Sequence, residues 1–275
     1  MKTILVPTDF SKIATNAIAY AVEIAKTAKA KLILFHAYHV PVVATEVPVV
    51  MPSLDELEKD CMEGLKKTQT NIQLNQGAEL NIECVCKCGF AVDEINLYAK
   101  ENKVDLIVMG MQGGGFITEK IIGSNTTALL RESKCPVLAI DQKVRFRTPK
   151  KIVLACDYME TDITTVLDPL KEVVNLFKSH VYVLNVIHEL ECVPLVPKAV
   201  SEFINLEDSL GDVDHSLHYV REESIVDGIN DFVSERKMDM VVMIPRKHSF
   251  LKRVFQEPNT KRMAFHSNVP LLALH

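Results

Sequence analysis

A chain of 275 residues with 48% hydrophobic and 24% charged side chains can bury one large core or two ordinary ones. Its net charge of −5 and pI near 6.0 argue against a nucleic-acid-binding protein, which needs a basic face. No apolar run approaches the roughly 20 residues of a membrane-spanning helix, and the longest candidate, Val40 to Met51, is broken by Pro41, Glu46 and Pro48.

The chain opens on a strand-like run, Thr3-Ile4-Leu5-Val6, directly after Met1-Lys2, so no secretory leader is expected. Together with an odd count of 7 cysteines, this points to a reducing cytoplasm and free thiols. Strands are expected near 3–8, 31–37, 80–87, 105–110 and 136–140, and helices near 12–29, 54–75, 92–102 and 124–132. Ser11 suits the N-cap of the first helix. Ala17, Ala21, Ile24 and Ala25 mark its buried side, with Asn16, Tyr20, Glu23 and Lys26 on its wet face. Cys84, Cys86 and Cys88 alternate and so share one strand face, where they read as buried small hydrophobes rather than zinc ligands. Regular alternation of strand and helix predicts a parallel sheet covered on both faces.

The stretch from Asp105 to Asn125 carries the most chemistry. The apolar run Leu106-Ile107-Val108-Met109 ends at Gly110; Gly113 follows after two residues, and Gly123-Ser124 after nine more. Glycines let backbone N–H groups approach an anion, and a helix N-terminus adds unpaired donors and a positive dipole end. Strand, glycine loop and Gly-Ser at a helix start make a phosphate cradle; the plainer alternative is that the glycines serve turns. The Walker loop is absent because no Gly-Lys-Ser/Thr follows the strand, and Thr118 stands where the dinucleotide fingerprint needs its third glycine. In parallel sheets ligands gather at strand carboxyl ends where the strand order reverses. Pro7-Thr8-Asp9, His36-Ala37 and Gly110 supply such ends. Asp9 suits ribose hydroxyls, while His36 reads as a structural histidine.

The chain also repeats itself. Thr3 to Phe10 resembles Lys151 to Tyr158, Asp105 to Met109 resembles Asp239 to Met243, and Cys135 to Ile140 resembles Val269 to Leu274. Two domains of one fold are expected, at 1–142 and 149–275, with a charged linker from Gln142 to Pro149 between them. Each ends in an edge strand, 136–140 and 270–274, open to pairing.

With Gly110, Gly113 and Gly123-Ser124 in the pattern Gly-x2-Gly-x9-Gly-Ser, the Pro7-Thr8-Asp9-Phe10 opening and the Cys135-Pro136-Val137-Leu138 strand, nearly the whole chain resembles the universal stress protein family in its tandem form. The resemblance implies an α/β fold: two tandem open five-stranded parallel sheets flanked by helices, Rossmann-like and akin to the adenine nucleotide alpha hydrolases. It implies binding of ATP or another adenine nucleotide, with Mg2+ or Mn2+ carried on the phosphates where a metal takes part. Carried over, Asp9 and Gly110 hold the ribose and the Ala37 backbone reads the adenine edge. Gly113, Gly123, Ser124 and Thr126 hold phosphates, with Pro7, Thr8, Met109 and Asn125 lining the site. The family also pairs its last strands across a two-fold, which in a tandem chain implies an intramolecular pseudo-dimer and leaves room for a homodimer.

The second copy lacks the motif: Ile244, Lys247, Glu257 and Pro258 stand at the four positions, although Asp157 keeps the acid. Lys247 and Glu257 crowd the place of a phosphate, and Pro258 lacks a donor. One nucleotide site, in the first domain, and a regulatory role in stress response are therefore expected. A slow adenine-nucleotide hydrolase or nucleotidyl transferase is the enzyme alternative, though no dedicated base is visible; a nucleotide-free scaffold binding a partner protein is the third. The basic run from Arg246 to Arg262 is a solvated loop or an anion or partner contact. His215 and His218, three apart on a strand, face opposite ways and make no metal pair.

Overall fold

The computed structural model describes residues 1–39, 53–76, 79–111, 124–156, 165–187, 206–245 and 269–275. The first half runs β1 (Thr3–Pro7), α1 (Lys12–Ala28), β2 (Lys31–Tyr38), α2 (Leu54–Gln76), β3 (Ile82–Cys88), α3 (Ala91–Glu101), β4 (Leu106–Met111), α4 (Ser124–Glu132) and β5 (Val137–Asp141). The second half runs β6 (Lys151–Ala155), α5 (Asp168–Phe177), β7 (His180–Ile187), β8 (His215–Arg221), α6 (Ile225–Arg236), β9 (Met240–Met243) and β10 (Leu271–Ala273).

The expectation of two separate five-stranded sheets is corrected here. All the strands form one ten-stranded sheet in the order β3-β2-β1-β4-β5-β10-β9-β6-β7-β8. Within each half the pairs are parallel, but β5 and β10 meet antiparallel, with Leu272 opposite Leu138. The last strand of each half would otherwise be an open edge, and pairing the two satisfies both ladders at once.

The strands read as continuous apolar runs because both sheet faces are covered. Ile4 and Val6 point to one face and Leu5 to the other, and all three are fully buried. Each such side chain contributes about 1.5–3 kcal/mol on leaving water. The cluster on each face continues across the β5–β10 junction, joining Ile4 to Ile152 on one side and Leu5 to Val153 on the other.

Local chemistry sets the element ends. The Ser11 hydroxyl caps α1 by accepting from the Ala14 N–H at 3.1 Å, and Lys29 closes the helix in the left-handed region. The Asp repeated before β4 and β9 also has a structural job. Asp105 accepts from the Lys2 and Thr3 N–H groups, and Asp239 accepts from those of Lys150 and Lys151, so one carboxylate in each half pins the start of the central strand.

The wet face assigned to α1 is wrong at Tyr20. Tyr20 is only 2% exposed and packs edge-on against Phe146 at 5.0 Å, and Phe146 in turn meets Phe177 of α5. The Asn16 amide donates to the carbonyls of Asp141 and Val144. The linker therefore folds down on α1 and wedges an aromatic ring between the two halves.

Candidate functional site

In the first half the strand order reverses between β1 and β4: β2 lies to one side of β1 and β4 to the other, while α1 and α3 leave on opposite faces. The carboxyl ends of β1, β2 and β4 open there into a cleft of about 340 Å³. Its walls include nine residues expected at the site: Pro7, Thr8, Asp9, Ala37, Met109, Gly110, Ser124, Asn125 and Thr126. Gly113 and Gly123 lie outside the described residues, as do Asp157, Lys247, Glu257 and Pro258 of the second half and the segments 40–51 and 246–262.

Each wall offers a different polar group. The last rung between β1 and β2 runs from the Thr8 N–H to the Phe35 carbonyl at 2.8 Å. Ala37 is the next residue of β2 facing that side, and its N–H and C=O project past the end of β1 with no backbone partner among the described residues. Asp9 spends one carboxylate oxygen on the Ser11 N–H at 3.0 Å, and its residue is exposed, leaving the other oxygen to accept from a ligand. Across the cleft α4 begins at Ser124, and a helix leaves its first N–H groups without intrahelical acceptors. The cleft thus presents a backbone donor–acceptor pair, a carboxylate and a donor-rich helix start.

Two side chains turn out to be braces. The Thr126 hydroxyl donates to the Gly110 carbonyl at 3.0 Å, so its proton ties α4 to β4 rather than facing the opening. His36 Nδ1 lies 2.7 Å from the Thr8 carbonyl. A carbonyl only accepts, so Nδ1 carries the proton and Nε2 is left as an acceptor in the neutral ring. The structural reading of His36 holds: in the second half Asn185, at the matching register, donates to the Cys156 carbonyl at 3.1 Å. Gly110 has its own reason to be glycine. A Cβ there would stand 2.8 Å from the Ile13 carbonyl oxygen, so α1 can sit on β4 only without one.

The structure also assembles groups that sequence reading missed. At the amino end of β7 and β8, His180 Nδ1 donates to Asp214 at 2.9 Å and its Nε2 accepts from the Ser216 hydroxyl at 2.8 Å, while His218 Nε2 donates to Ser216 at 3.0 Å. Burial, with the charges of Arg236 and His180 nearby, pushes His218 below the usual imidazole range. The line resembles an acyl-transfer relay, but the backbone N–H of the serine itself is not free to act as an oxyanion donor. The β7 ladder takes Asp214's peptide group and, by the alternation of a parallel pair, that of Ser216. His215 points the other way, to Glu207, as its spacing predicted. No group of three metal-ligating side chains occurs among the described residues. The expectation of free thiols is corrected at one pair, because Cys61 of α2 and Cys86 of β3 are joined as a disulfide. No described helix is long and apolar enough to cross a membrane.

Comparison with known proteins places the chain among relatives. A family model described as the universal stress protein family matches residues 1–141 and again 149–275. Universal stress protein MJ0531 of Methanocaldococcus jannaschii is 30% identical over 152 residues, spanning 54% of this chain and 84% of that protein. YxiE of Bacillus subtilis, also named a universal stress protein, is 31% identical over 142 residues, 50% of this chain and 96% of its own. A universal stress protein structure from Archaeoglobus fulgidus shares the fold at a TM-score of 0.73, covering 98% of this chain and 97% of that one at 16% identity.

Proposed function

The chain belongs to the universal stress protein family and carries its domain twice, and from that premise we propose that it is a nucleotide-responsive regulator that binds one adenine nucleotide, ATP or a close relative, in the cleft of its first half. The observation that carries this reading is the convergence, at the switch point of the sheet, of three complementary groups on three separate elements. The unpaired N–H and C=O of Ala37 match the donor and acceptor on an adenine edge. The open oxygen of Asp9 suits ribose hydroxyls. The start of α4 at Ser124 and Asn125 suits phosphates, and the glycine spacing from Gly110 to Gly123 extends that cradle. Mg2+ or Mn2+ would sit on the phosphates and complete no protein cage.

In this reading the second half is a partner domain. Ile244, Lys247, Glu257 and Pro258 replace the motif, and occupancy of the first half is felt through the shared sheet and the surfaces around the cleft. The cleft supports binding directly through its backbone groups, its carboxylate and its helix start, while turnover would in addition need a base positioned on a nucleophile.

The test is to purify the protein without added nucleotide, denature it and identify released small molecules by mass, counted per chain, followed by titration of the emptied protein with ATP, ADP and AMP. One adenine nucleotide per chain, lost in Asp9→Ala, is the expected result. Protein that carries none and binds none on titration would overturn the reading.

A further inference from the structure

The Cys61–Cys86 disulfide is the feature that the fold and the cleft leave unexplained. It joins residues 25 apart in sequence on two different elements, with Cα atoms 6.4 Å apart. Each half of it leads to the same place. On β3, Cys86 is the register partner of His36 on β2, and register partners project to the same sheet face. On α2, Gly64 lies one turn beyond Cys61. A Cβ at Gly64 would meet the Phe10 ring at 2.8 Å, so the bare backbone of α2 rests on that ring. Phe10 and His36 are themselves in contact, with centroids 4.8 Å apart. Phe10 is held at φ 62, a left-handed conformation unusual for a bulky residue, between Asp9 and Ser11, which both line the cleft. Disulfide, α2, Phe10, His36 and the Asp9 turn therefore form a closed ring of contacts beside the ligand site.

We propose that Cys61 and Cys86 are a reversible thiol–disulfide site that sets the affinity of the cleft, the oxidised form binding nucleotide more tightly; the affinity part rests on the nucleotide reading above. With the bond made, α2 is pinned to β3, Gly64 presses on Phe10, and Phe10 and His36 hold the Asp9 turn in its binding position. With the bond broken, α2 can lift and the turn loses that support. Cys61 is buried and Cys86 half-buried, so reagents enter at Cys86.

For oxidation, the Cys86 thiolate attacks a hydroperoxide, breaking the O–O bond. It gains the terminal oxygen as a sulfenic acid, and the alcohol departs with a proton. The Cys61 thiol then displaces that oxygen as water and the S–S bond forms, two electrons having passed to the peroxide. For reduction, one thiolate of a small dithiol attacks Cys86 Sγ and Cys61 leaves as the thiolate. The second thiol of the reagent closes its own disulfide and releases Cys86.

The experiment compares ATP affinity by calorimetry in peroxide-treated and dithiol-reduced protein, with thiol state read by alkylation and mass. Reduction is expected to weaken binding at least fivefold, and Cys61→Ser is expected to bind like reduced protein under both conditions. Equal affinity in the two states, or thiols at Cys61 and Cys86 that both remain alkylatable after peroxide, overturns the proposal. The sequence has no tryptophan, so Phe10→Trp adds a single reporter that does not depend on nucleotide. If neither state binds ATP, the nucleotide reading fails, and the reporter decides the switch. Emission that shifts with redox state and stops shifting in Phe10→Trp/Cys61→Ser sustains it; unchanged emission ends it.

Discussion

Replacing Gly110 by alanine separates two reasons for a glycine at the end of β4. If Gly110 is present only to let a ligand approach, Gly110→Ala leaves the empty protein as stable as before. The contacts say otherwise. The new Cβ would stand 2.6 Å from Ile13 Cγ2, 2.8 Å from the Ile13 carbonyl oxygen and 2.9 Å from its carbonyl carbon. The methyl can rotate aside, but the carbonyl belongs to the first turn of α1 and cannot. Reaching ordinary van der Waals separation requires that turn to retreat by roughly half an ångström or more. Overpacking of this kind costs about 1–3 kcal/mol. Alanine returns about 0.5–1 kcal/mol through a less flexible unfolded chain. A net loss of about 1–2 kcal/mol is expected, which lowers the melting temperature by a few degrees for a chain of this size. Calorimetric melting of nucleotide-free protein measures it, with urea unfolding as a check. Because Ser11, Ile13 and Ala14 line the cleft, nucleotide affinity should fall as well. A variant that melts with the wild type yet loses nucleotide would refute the packing argument and return Gly110 to the ligand alone.

Asp105→Ala and Asp239→Ala each remove a carboxylate that accepts two backbone N–H groups. Partial exposure screens these contacts, so each change is expected to cost about 1–2 kcal/mol in urea unfolding, with the asparagine variants milder. An unchanged midpoint in Asp105→Ala would remove the pinning role. His275 has a sealed Nε2 with no partner among the described residues, and burial pushes its pKa down to about 4. The unfolded chain, near the ordinary 6.5, takes up a proton first as pH falls. The stability from burying the neutral ring is therefore complete above about pH 6.5 and is lost progressively down to about pH 4, amounting to about 2 kcal/mol by pH 5. Urea midpoints at pH 7 and pH 5 should converge in His275→Gln; a variant that keeps the full wild-type difference would refute this source of acid sensitivity.

Much of the architecture was legible because parallel strands buried on both faces must be apolar throughout. Leu106 to Met109 and Met240 to Met243 show this run twice, each behind an aspartate. The repeat then exposed the edge strands at 136–140 and 270–274. Their pairing followed from the family resemblance, and its consequence, one continuous sheet, depended on a geometry between halves that no local pattern encodes. Tyr20 was misplaced for a related reason. Helical spacing puts it beside Asn16 and Glu23, but its burial is decided by Phe146, 126 positions later in a segment that reads as charged linker. The alternation of Cys84, Cys86 and Cys88 fixed their shared face and said nothing of Cys61 on α2. Asp214, His180 and Ser216 met only once β7 and β8 were in register. The strand ends and the glycine-spaced loop are local signals, and the described residues read from them line one cleft, whereas the Thr126 bond to Gly110 crosses between elements and left no local trace.

The duplication offers an internal control on which groups serve the fold. Groups that brace the central strand are kept in both halves even where the residue changes: Asp105 matches Asp239, and His36 gives way to Asn185, which still donates to the carbonyl at the end of the first strand. Gly110 is not kept. Ile244 stands in its place and is buried. A side chain there cannot coexist with a helix seated as α1 is on β4, where a Cβ would stand 2.8 Å from the Ile13 carbonyl oxygen. The second half thus carries a buried side chain at the position where the first half keeps its strand end bare. The second half also lacks the rest of the glycine spacing, with Lys247, Glu257 and Pro258 in its place. Filling the single position Gly110 in the first half should therefore be enough to disturb its cleft, because the added Cβ meets the first turn of the helix that supports the Asp9 turn.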